Sequence, residues 1–316
     1  MKQKLMIFPL IAASLMACSN DDESGDSHET TQDRPIGITV TERPFVSPDG
    51  SNRSTRAAIT TTESLTSFKM SYVYGTPPST GDRTATKMAG VWNVTGSWPD
   101  TGDNVYWYAY SSGTFHLTND VNKYPYVNFT MEEQPSNLKD LLVATASGSW
   151  SSTGGIINYT FDHACSALRF YVKKANNLQD YVLRVSRVKL WNVVKTGDYY
   201  FNTPSWTLGE DKSGYTLYSG DAKTLGHTDY VALDDSEDPY LFFIPQTLTA
   251  WTPPATLENC YLEVDCVLTK GETPKFSGTA YIPFGTTLAQ GTLYDVKVNI
   301  GKNSLYNNSG EKIIKD

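Results

Sequence analysis

Two arginines in a polar loop are the residues whose type and setting point most directly to a chemical event. The loop from Ser47 to Ala58 is built of Ser, Pro, Asp, Gly, Asn, Thr and Arg, a composition typical of proteolytic nicking sites. Arg53 and Arg56 are each followed by a small residue and are open to a trypsin-like protease. Arg34 and Arg43 each precede proline, whose tertiary amide resists such enzymes. The sequence therefore predicts cleavage of the chain itself at this loop, and two ordinary surface arginines are the alternative.

A second chemical site is the cysteine that closes the amino-terminal apolar run. Lys2 and Lys4 precede an uncharged stretch from Leu5 to Ala17, an arrangement typical of a secretory signal peptide. Its 13 residues are fewer than the roughly 20 that a membrane-spanning helix needs. The run ends in Leu-Met-Ala-Cys, which resembles the lipobox of bacterial lipoproteins, so we expect removal of residues 1–17 and lipidation of Cys18. An ordinary signal peptide with a chance cysteine is the alternative.

The segment after this cysteine is acidic and almost without apolar residues. Asp21, Asp22 and Glu23 come first, and further acidic residues follow up to Asp33. Such a segment cannot bury a core, so residues 18–34 are predicted to be a solvated tether. An acidic run directly after a lipidated cysteine also resembles the signal that sends some lipoproteins to the outer face of the outer membrane. A plain spacer is the alternative.

The net charge disfavours nucleic acid as a partner. Without Lys2 and Lys4, 24 of the 26 basic residues remain against 34 acidic ones, which gives the mature chain a charge of −10. Binding to phosphates needs a basic surface, so we expect no nucleic acid.

The other residues that could catalyse a reaction or hold a ligand lack the spacing for it. The four histidines, His28, His116, His163 and His227, lie far apart in the sequence, without ligand or triad spacing, and the common hydrolase, zinc-protease and phosphate-binding motifs are missing. The acidic stretch from Asp234 to Asp238 lacks the glycine and distal glutamate of an EF-hand loop, which favours a solvated turn over a calcium site. We therefore expect no enzyme, no metal site and no cofactor.

Three further cysteines are predicted to be structural. Cys260 and Cys266 share one face of a predicted strand, and six residues at about 3.3 Å each separate them by roughly 20 Å, too far for a bridge. A bridge from Cys165 to one of them stays open, but buried free thiols are favoured.

Aromatic residues could form a platform on which a sugar stacks. The set comprises Trp92, Trp98, Trp107, Tyr108 and Tyr110. In a β-sandwich most of them should instead lie in the core, which is the interpretation favoured here.

Apolar residues alternate with polar ones along several segments, which predicts half-buried strands. Ile36, Ile38 and Val40 share one face of such a strand, and residues 167–173 and 293–300 show the same alternation. From residue 181 to 190 the alternation changes phase, which predicts a β-bulge near Ser186 and Arg187. The fold class is therefore all-β, built of antiparallel sandwiches.

Length favours two domains, because the 299 residues after the signal exceed what one core usually serves. A boundary is predicted in the small-residue stretch from Ser147 to Gly155, which gives domains of residues 35–152 and 153–316. A long hairpin loop within one domain is the alternative.

The sequence resembles the fimbrillin family, the lipoprotein-precursor pilins of type V pili, over most of its length. The features that carry the resemblance are the lipobox at Cys18, the loop with Arg53 and Arg56, and the segments Asp140–Ala144, Phe161–Leu168, Phe243–Gln246 and Gly291–Val298.

This resemblance implies two transthyretin-like antiparallel β-sandwich domains with Greek-key connections and a surface-exposed outer-membrane lipoprotein. It implies cleavage by an arginine-specific protease after Arg56, with Arg53 as second candidate, and loss of the first strand with Ile36, Ile38 and Val40. A strand from another pilus subunit would fill the groove. The polar, Asn-rich tail from Lys302 to Asp316 departs from the alternation of a donor strand, which favours a tip, minor or anchoring subunit.

Three functions fit these features to different degrees. A pilus subunit that supports adhesion, with a host or microbial surface receptor as a further partner, explains the lipobox, the arginine loop and the missing catalytic motifs together. A surface-exposed glycan-binding lipoprotein is the alternative, and it leaves the arginine loop unexplained. A secreted hydrolase would need an acid/base or metal constellation that the sequence does not contain.

Overall fold

Strands form nearly all of the regular structure, as the alternation of apolar and polar residues predicts. The structure is a computed structural model that describes residues 34–50, 64–117, 125–133, 138–234 and 240–314. The predicted signal peptide, most of the tether, Cys18, Arg53, Arg56 and most of the acidic stretch after Asp234 lie outside the described residues.

The first part of the chain contributes nine strands and one short helix to the described structure. They are β1 (Gly37–Glu42), β2 (Ser67–Tyr74), β3 (Ser79–Met88), β4 (Val91–Val94), β5 (Val105–Tyr110), β6 (Thr114–His116), β7 (Tyr126–Thr130), β8 (Leu142–Gly148), α1 (Trp150–Thr153) and β9 (Ile156–His163).

The rest of the chain adds further strands and two short 3-10 turns, at Asn176–Leu178 and Lys302–Ser304. The strands are β10 (Ser166–Lys174), β11 (Tyr181–Val194), β12 (Thr196–Tyr200), β13 (Ser205–Leu208), β14 (Lys212–Leu225), β15 (Val231–Ala232), β16 (Leu241–Phe243), β17 (Thr247–Leu248), β18 (Tyr261–Lys270), β19 (Thr273–Pro283), β20 (Thr286–Thr287) and β21 (Leu293–Ile300).

A seven-stranded sheet of order β1-β9-β8-β5-β2-β3-β4 surrounds the smaller of two cores. Its two edge strands, β1 and β4, also contact each other, so the sheet curls around its own apolar face. Phe68, Met70, Trp107, Tyr159 and Phe161 are among the buried residues of this core. The curl places the apolar side chains of β1 against the same core as those of the central strands.

The larger core lies between the remaining sheets. One sheet has the order β14-β11-β18-β19, and another has β10 between β21 on one side and β15 and β16 on the other. A third sheet of order β13-β12-β7-β6 and the pair β17-β20 complete the described strands. The pairs β1-β9 and β10-β21 are parallel, and the other described strand pairs are antiparallel. The prediction of an all-β sandwich fold is confirmed.

The predicted bulge is present in β11. Its pairing with both neighbours, β14 and β18, shifts register between Val185 and Arg187. Against β18, Ser186 is the extra residue, because Val185 and Arg187 lie opposite the consecutive residues Cys266 and Asp265. The change of phase in the sequence is the direct consequence, because one extra residue moves all following side chains to the other face.

The boundary predicted at residues 152/153 falls between two strands that pair with each other. Strands β8 and β9 pair directly, with Leu142 opposite His163, and β7 pairs with β12 across the same predicted boundary. The small residues between β8 and β9 form a one-turn helix that begins at the Ser149 cap and ends at Gly154, whose φ is 61°. The stretch is therefore a connection between neighbouring strands of one sheet. The division of the chain into two domains stays a prediction.

The cysteines and aromatic residues are buried as predicted. Cys165, Cys260 and Cys266 are free and buried. Trp98, Trp107, Tyr108 and Tyr110 are core residues, and Trp92 packs against the smaller core. Within the residues that the structure describes, no helix is long and apolar enough to cross a membrane.

Candidate functional site

The first strand lies at the edge of the seven-stranded sheet and is held there by a parallel ladder. Its six residues pair with β9 from Gly37 opposite Ile156 to Glu42 opposite Phe161. At the start of the ladder the Gly37 N–H donates to the Gly155 carbonyl at 2.9 Å. Because β1 is the outermost strand, its removal would leave the outer backbone groups of β9 without partners.

The side chains of β1 alternate between the core and solvent. Ile36 is buried at 9% exposure, and Ile38 and Val40 pack partly buried against the smaller core. The residues between them point outward, where Thr39 donates to the side chain of Asn158 at 2.5 Å. The predicted inward face of Ile36, Ile38 and Val40 therefore exists, although two of the three keep some contact with solvent.

The contact made by this segment continues well beyond Val40. The Arg43 N–H donates to the Phe161 carbonyl at 2.9 Å, and the Arg43 guanidinium binds both carboxylate oxygens of Asp162 at 2.6 and 2.7 Å. Sequence reasoning missed this part because Pro44 interrupts the alternation.

Beyond Pro44 the segment crosses from the smaller core to the larger one. Phe45 is 2% exposed and belongs to the larger core. The Val46 N–H donates to the Gly291 carbonyl at 3.0 Å, and the Leu293 N–H donates to the Val46 carbonyl at 2.8 Å. The segment from residue 34 to 47, called the first-strand segment below, thus covers both cores and lies directly before the arginine loop.

A buried ionic cluster lies under the first-strand segment. The imidazole of His163, at the end of β9, contacts the Asp140 carboxylate through Nδ1, and its Nε2 lies 3.1 Å from Oε1 of Glu42 in β1. Asp140 also accepts the Cys165 N–H at 3.1 Å through its other oxygen. The ring of Phe45 stacks on the imidazole with 3.7 Å between ring centroids. Glu42 and Phe45 therefore close the cluster from the side of the first-strand segment.

Two carboxylates outweigh burial in setting the charge of this histidine. Burial lowers the pKa of His163, while the contacts with Asp140 and Glu42 raise it, and the net result is a pKa of about 9. His163 is therefore a cation at neutral pH, held between one anion from the body and one anion from the first strand.

The cluster is structural, although it contains the residue types of a cysteine-protease triad. The Cys165 thiol is fully buried, and burial raises its pKa well above its ordinary value. A thiol in that environment is not the thiolate that nucleophilic catalysis requires. His163 is 3% exposed, so the first-strand segment covers the position that a substrate would have to reach.

Sequence reasoning missed Glu42, Phe45, Asp140 and His163 as partners. Asp140 and His163 do lie in two of the segments that carry the family resemblance. Their positions 23 residues apart, on different strands or loops, carry no spacing that reveals the contact.

The structure gives little support to a sugar or metal site among the described residues. Trp98 and Trp107 are 3% and 0% exposed, so neither offers a face on which a sugar could stack. Across residues 34–314, apart from the segments left undescribed, no group of three or more His, Cys, Asp and Glu side chains is placed to hold a metal ion.

Comparison with known proteins gives a family match and similar folds. The model of a family described as fimbrillin-like matches residues 51–314, which begins in the arginine loop and extends almost to the end of the chain. No curated protein matches the sequence.

Two solved structures similar to this chain come from Bacteroides species. A fimbrial protein from Bacteroides vulgatus has a TM-score of 0.53 at 16% identity, with 86% of this chain and 96% of that protein covered. A provisionally assigned cell adhesion protein from Bacteroides ovatus has a TM-score of 0.46 at 14% identity, with 90% and 99% covered. At these identities the first similarity supports the fold alone.

Proposed function

The chain belongs to the fimbrillin-like family, and from this premise we propose that it is a pilus subunit that joins a fibre by exchanging its first strand after proteolysis. Family membership supports a pilus or adhesion subunit at the cell surface. Strand exchange is the finer part of the proposal.

One observation carries this finer part: the first-strand segment covers both cores and ends directly before the arginine loop. A cut after Arg56 or Arg53 would convert the segment from a part of the chain into a separate peptide. Its departure would uncover apolar side chains of both cores and the backbone edge of β9 at once. Such an edge is a template for a strand from another chain.

Before the cut, burial should keep the segment in place. Ile36 and Phe45 are 9% and 2% exposed, and full burial of such a side chain contributes roughly 1.5 to 3 kcal/mol. The parallel ladder and the Arg43–Asp162 ion pair add to this. The uncut chain is therefore proposed to stay monomeric.

The same cut would release the chain from the membrane. Lipidation at Cys18 is proposed to hold the precursor on the outer membrane, and Cys18 precedes both arginines. The proposed partners are therefore an arginine-specific protease and other pilus subunits, with a surface receptor for adhesion. We propose that the chain has no catalytic activity and uses no cofactor.

The decisive experiment removes the cut site. In cells that assemble these fibres, the double substitution Arg53→Ala and Arg56→Ala should leave the chain folded and on the membrane but absent from fibres, because the first-strand segment cannot leave. A control with Ser51→Ala and Ser54→Ala alters the same loop and keeps both arginines, so it should enter fibres normally.

The measurement is the amount of the chain in purified fibres together with its amino-terminal residue. Ala57 is expected for the control and Cys18 for the arginine variant. Normal incorporation of the arginine variant, with residues 34–47 still attached, would refute strand exchange.

A further inference from the structure

We propose that His163 and Asp140 form a socket for one carboxylate, so that a strand from another subunit must bring an acidic side chain to the position of Glu42. This inference rests on the proposed strand exchange and adds a rule about which strands the groove accepts. The socket is occupied in the uncut chain by Glu42 itself, whose Oε1 lies 3.1 Å from Nε2 of His163.

The first support is the burial of the charges. The side chains of Asp140 and His163 are 0% and 2% exposed, and that of Glu42 is 15% exposed. A buried ion that loses its partner costs far more than a surface ion, because water cannot replace the partner. A strand with a neutral residue at this position would leave one side of the imidazole without its anion.

The second support is that only one of the two carboxylates, that of Glu42, belongs to the first strand. Asp140 is held by the Cys165 N–H, as well as by the imidazole, so it stays with the body when the first strand leaves. On the groove side, Nε2 of the imidazole then faces the vacated strand position. A basic residue at that position would meet the imidazolium, and a neutral residue would pair more weakly than a carboxylate does.

Register makes the requirement specific to one position of the incoming strand. In the first-strand segment Glu42 follows Ile36, Ile38 and Val40 at the same spacing of two, so all four lie on one face. Phe45 comes three residues later and covers the imidazole. The fitting strand therefore has three alternating apolar residues, an acid two residues further on, and an aromatic residue beyond it.

The tail of this chain does not have that pattern. Leu305 is followed at intervals of two by Asn307, Ser309 and Glu311, so the acid has the right spacing but the apolar positions between are polar. The chemistry of the socket thus points to a strand of a different subunit.

The test uses the full mature chain, cut with an arginine-specific protease, and fluorescent peptides that correspond to residues 35–48. Three peptides are compared: the natural sequence, Glu42→Gln, and a peptide in which Thr41→Glu and Glu42→Thr exchange the two residues. The exchanged peptide has the same composition and charge as the natural one but turns the acid to the outer face. Binding is measured as the fluorescence that elutes with the protein.

The natural peptide should bind at least about tenfold more tightly than either variant. A His163→Gln protein should lose most of this preference, which ties the effect to the socket. If that protein does not fold, the comparison of the three peptides on the natural protein decides the question by itself.

Equal uptake of the natural and Glu42→Gln peptides would overturn the socket and leave strand exchange intact. Retention of the original segment after the cut, with no uptake of any peptide, would overturn strand exchange and the socket with it.

Discussion

At the scale of single residues, His163 connects the first strand to the rest of the protein. Its imidazole joins a carboxylate of the body to a carboxylate of the first strand, and the three residues come from parts of the chain far apart in sequence. Burial makes the cluster strongly dependent on the charge of the histidine, because an imidazolium between two anions is stable and a neutral imidazole leaves two anions close together.

This arrangement predicts that the protein loses stability as the pH rises through about 9. The pKa of His163 is about 9 in the folded chain and about 6.5 in an unfolded one, so the folded state binds the extra proton. The resulting stabilisation is complete below pH 6.5 and disappears above pH 9, with a total size on the order of 3 kcal/mol. Urea unfolding of the uncut chain at pH 6.5 and pH 9.5 measures it.

A His163→Gln variant should lack most of this pH dependence. His116→Gln is the matched control, because His116 is exposed and its substitution should leave the dependence unchanged. The same loss of stability in the natural protein and in the His163→Gln variant would assign it to other groups.

Sequence alone could identify the residues of the proposed processing but not those of the cluster. Cys18, Arg53 and Arg56 are recognised from their immediate neighbours, and that information is local. Glu42, Asp140 and His163 meet only because β1 pairs with β9 while β8 pairs with the other edge of β9. A pairing partner more than a hundred residues away leaves no mark on the local pattern.

At the scale of elements, β9 is the strand that the first-strand segment protects. It lies between β1 and β8, so the loss of β1 turns an interior strand into an edge strand. Edge strands exchange their outer amide protons faster, because those protons no longer have acceptors in the protein.

Hydrogen exchange should therefore report the opening of the groove. After the cut and removal of the segment, those amides of residues 156–161 that face β1 and the amide of Leu293, which donates to the Val46 carbonyl, should exchange faster. Amides of β11 and β18, which pair with each other, should keep their protection. Mass spectrometry of cut and uncut protein measures both sets.

Unchanged protection of residues 156–161 after the segment has been removed would mean that the body repacks to cover β9. Faster exchange in β11 and β18 as well would mean that the body unfolds, which would contradict a preformed groove.

The elements themselves were the most predictable level of the structure. Alternation identified the inward face of β1, and a change of phase identified the bulge at Ser186, because side-chain direction is a local property of a strand. The connection from β8 to β9 shows where the local pattern is ambiguous. Small residues favour a linker and a tight helical turn equally, and only the pairing of Leu142 with His163 distinguishes them.

At the scale of the whole molecule, the carboxyl-terminal tail folds back on its own chain. Leu305 is 1% exposed, and Tyr306 exchanges two backbone hydrogen bonds with Tyr281 in β19, at 2.8 and 3.1 Å. The Ile313 N–H then donates to the Leu305 carbonyl at 3.0 Å. This tail packs against its own chain, and it lacks the alternation of apolar and polar residues that a donated strand needs.

A subunit that accepts a strand and donates none should stand at one end of a fibre. An epitope tag inserted at the exposed turn of Ala89 and Gly90 should place immunogold labels at fibre tips. Labels at regular intervals along the shaft would show that the chain donates a strand after all and would assign it to the shaft.

The parallel pairing of β1 with β9 joins strands that are far apart in sequence, and we expect this to slow the last step of folding. The side chains of Thr39 and Asn158 that meet across this ladder are 119 residues apart in sequence. Contacts between such distant residues form slowly, since closing a long loop costs conformational entropy before any contact can stabilise it. We therefore expect this ladder to form late in folding, so that β9 is exposed and β1 is unpaired for a time, as in the state that the protease is proposed to create later. During that period the covalent link to β1 would give a chain's own strand the advantage over strands of its neighbours, so under the proposed strand exchange the uncut link is expected to prevent premature assembly.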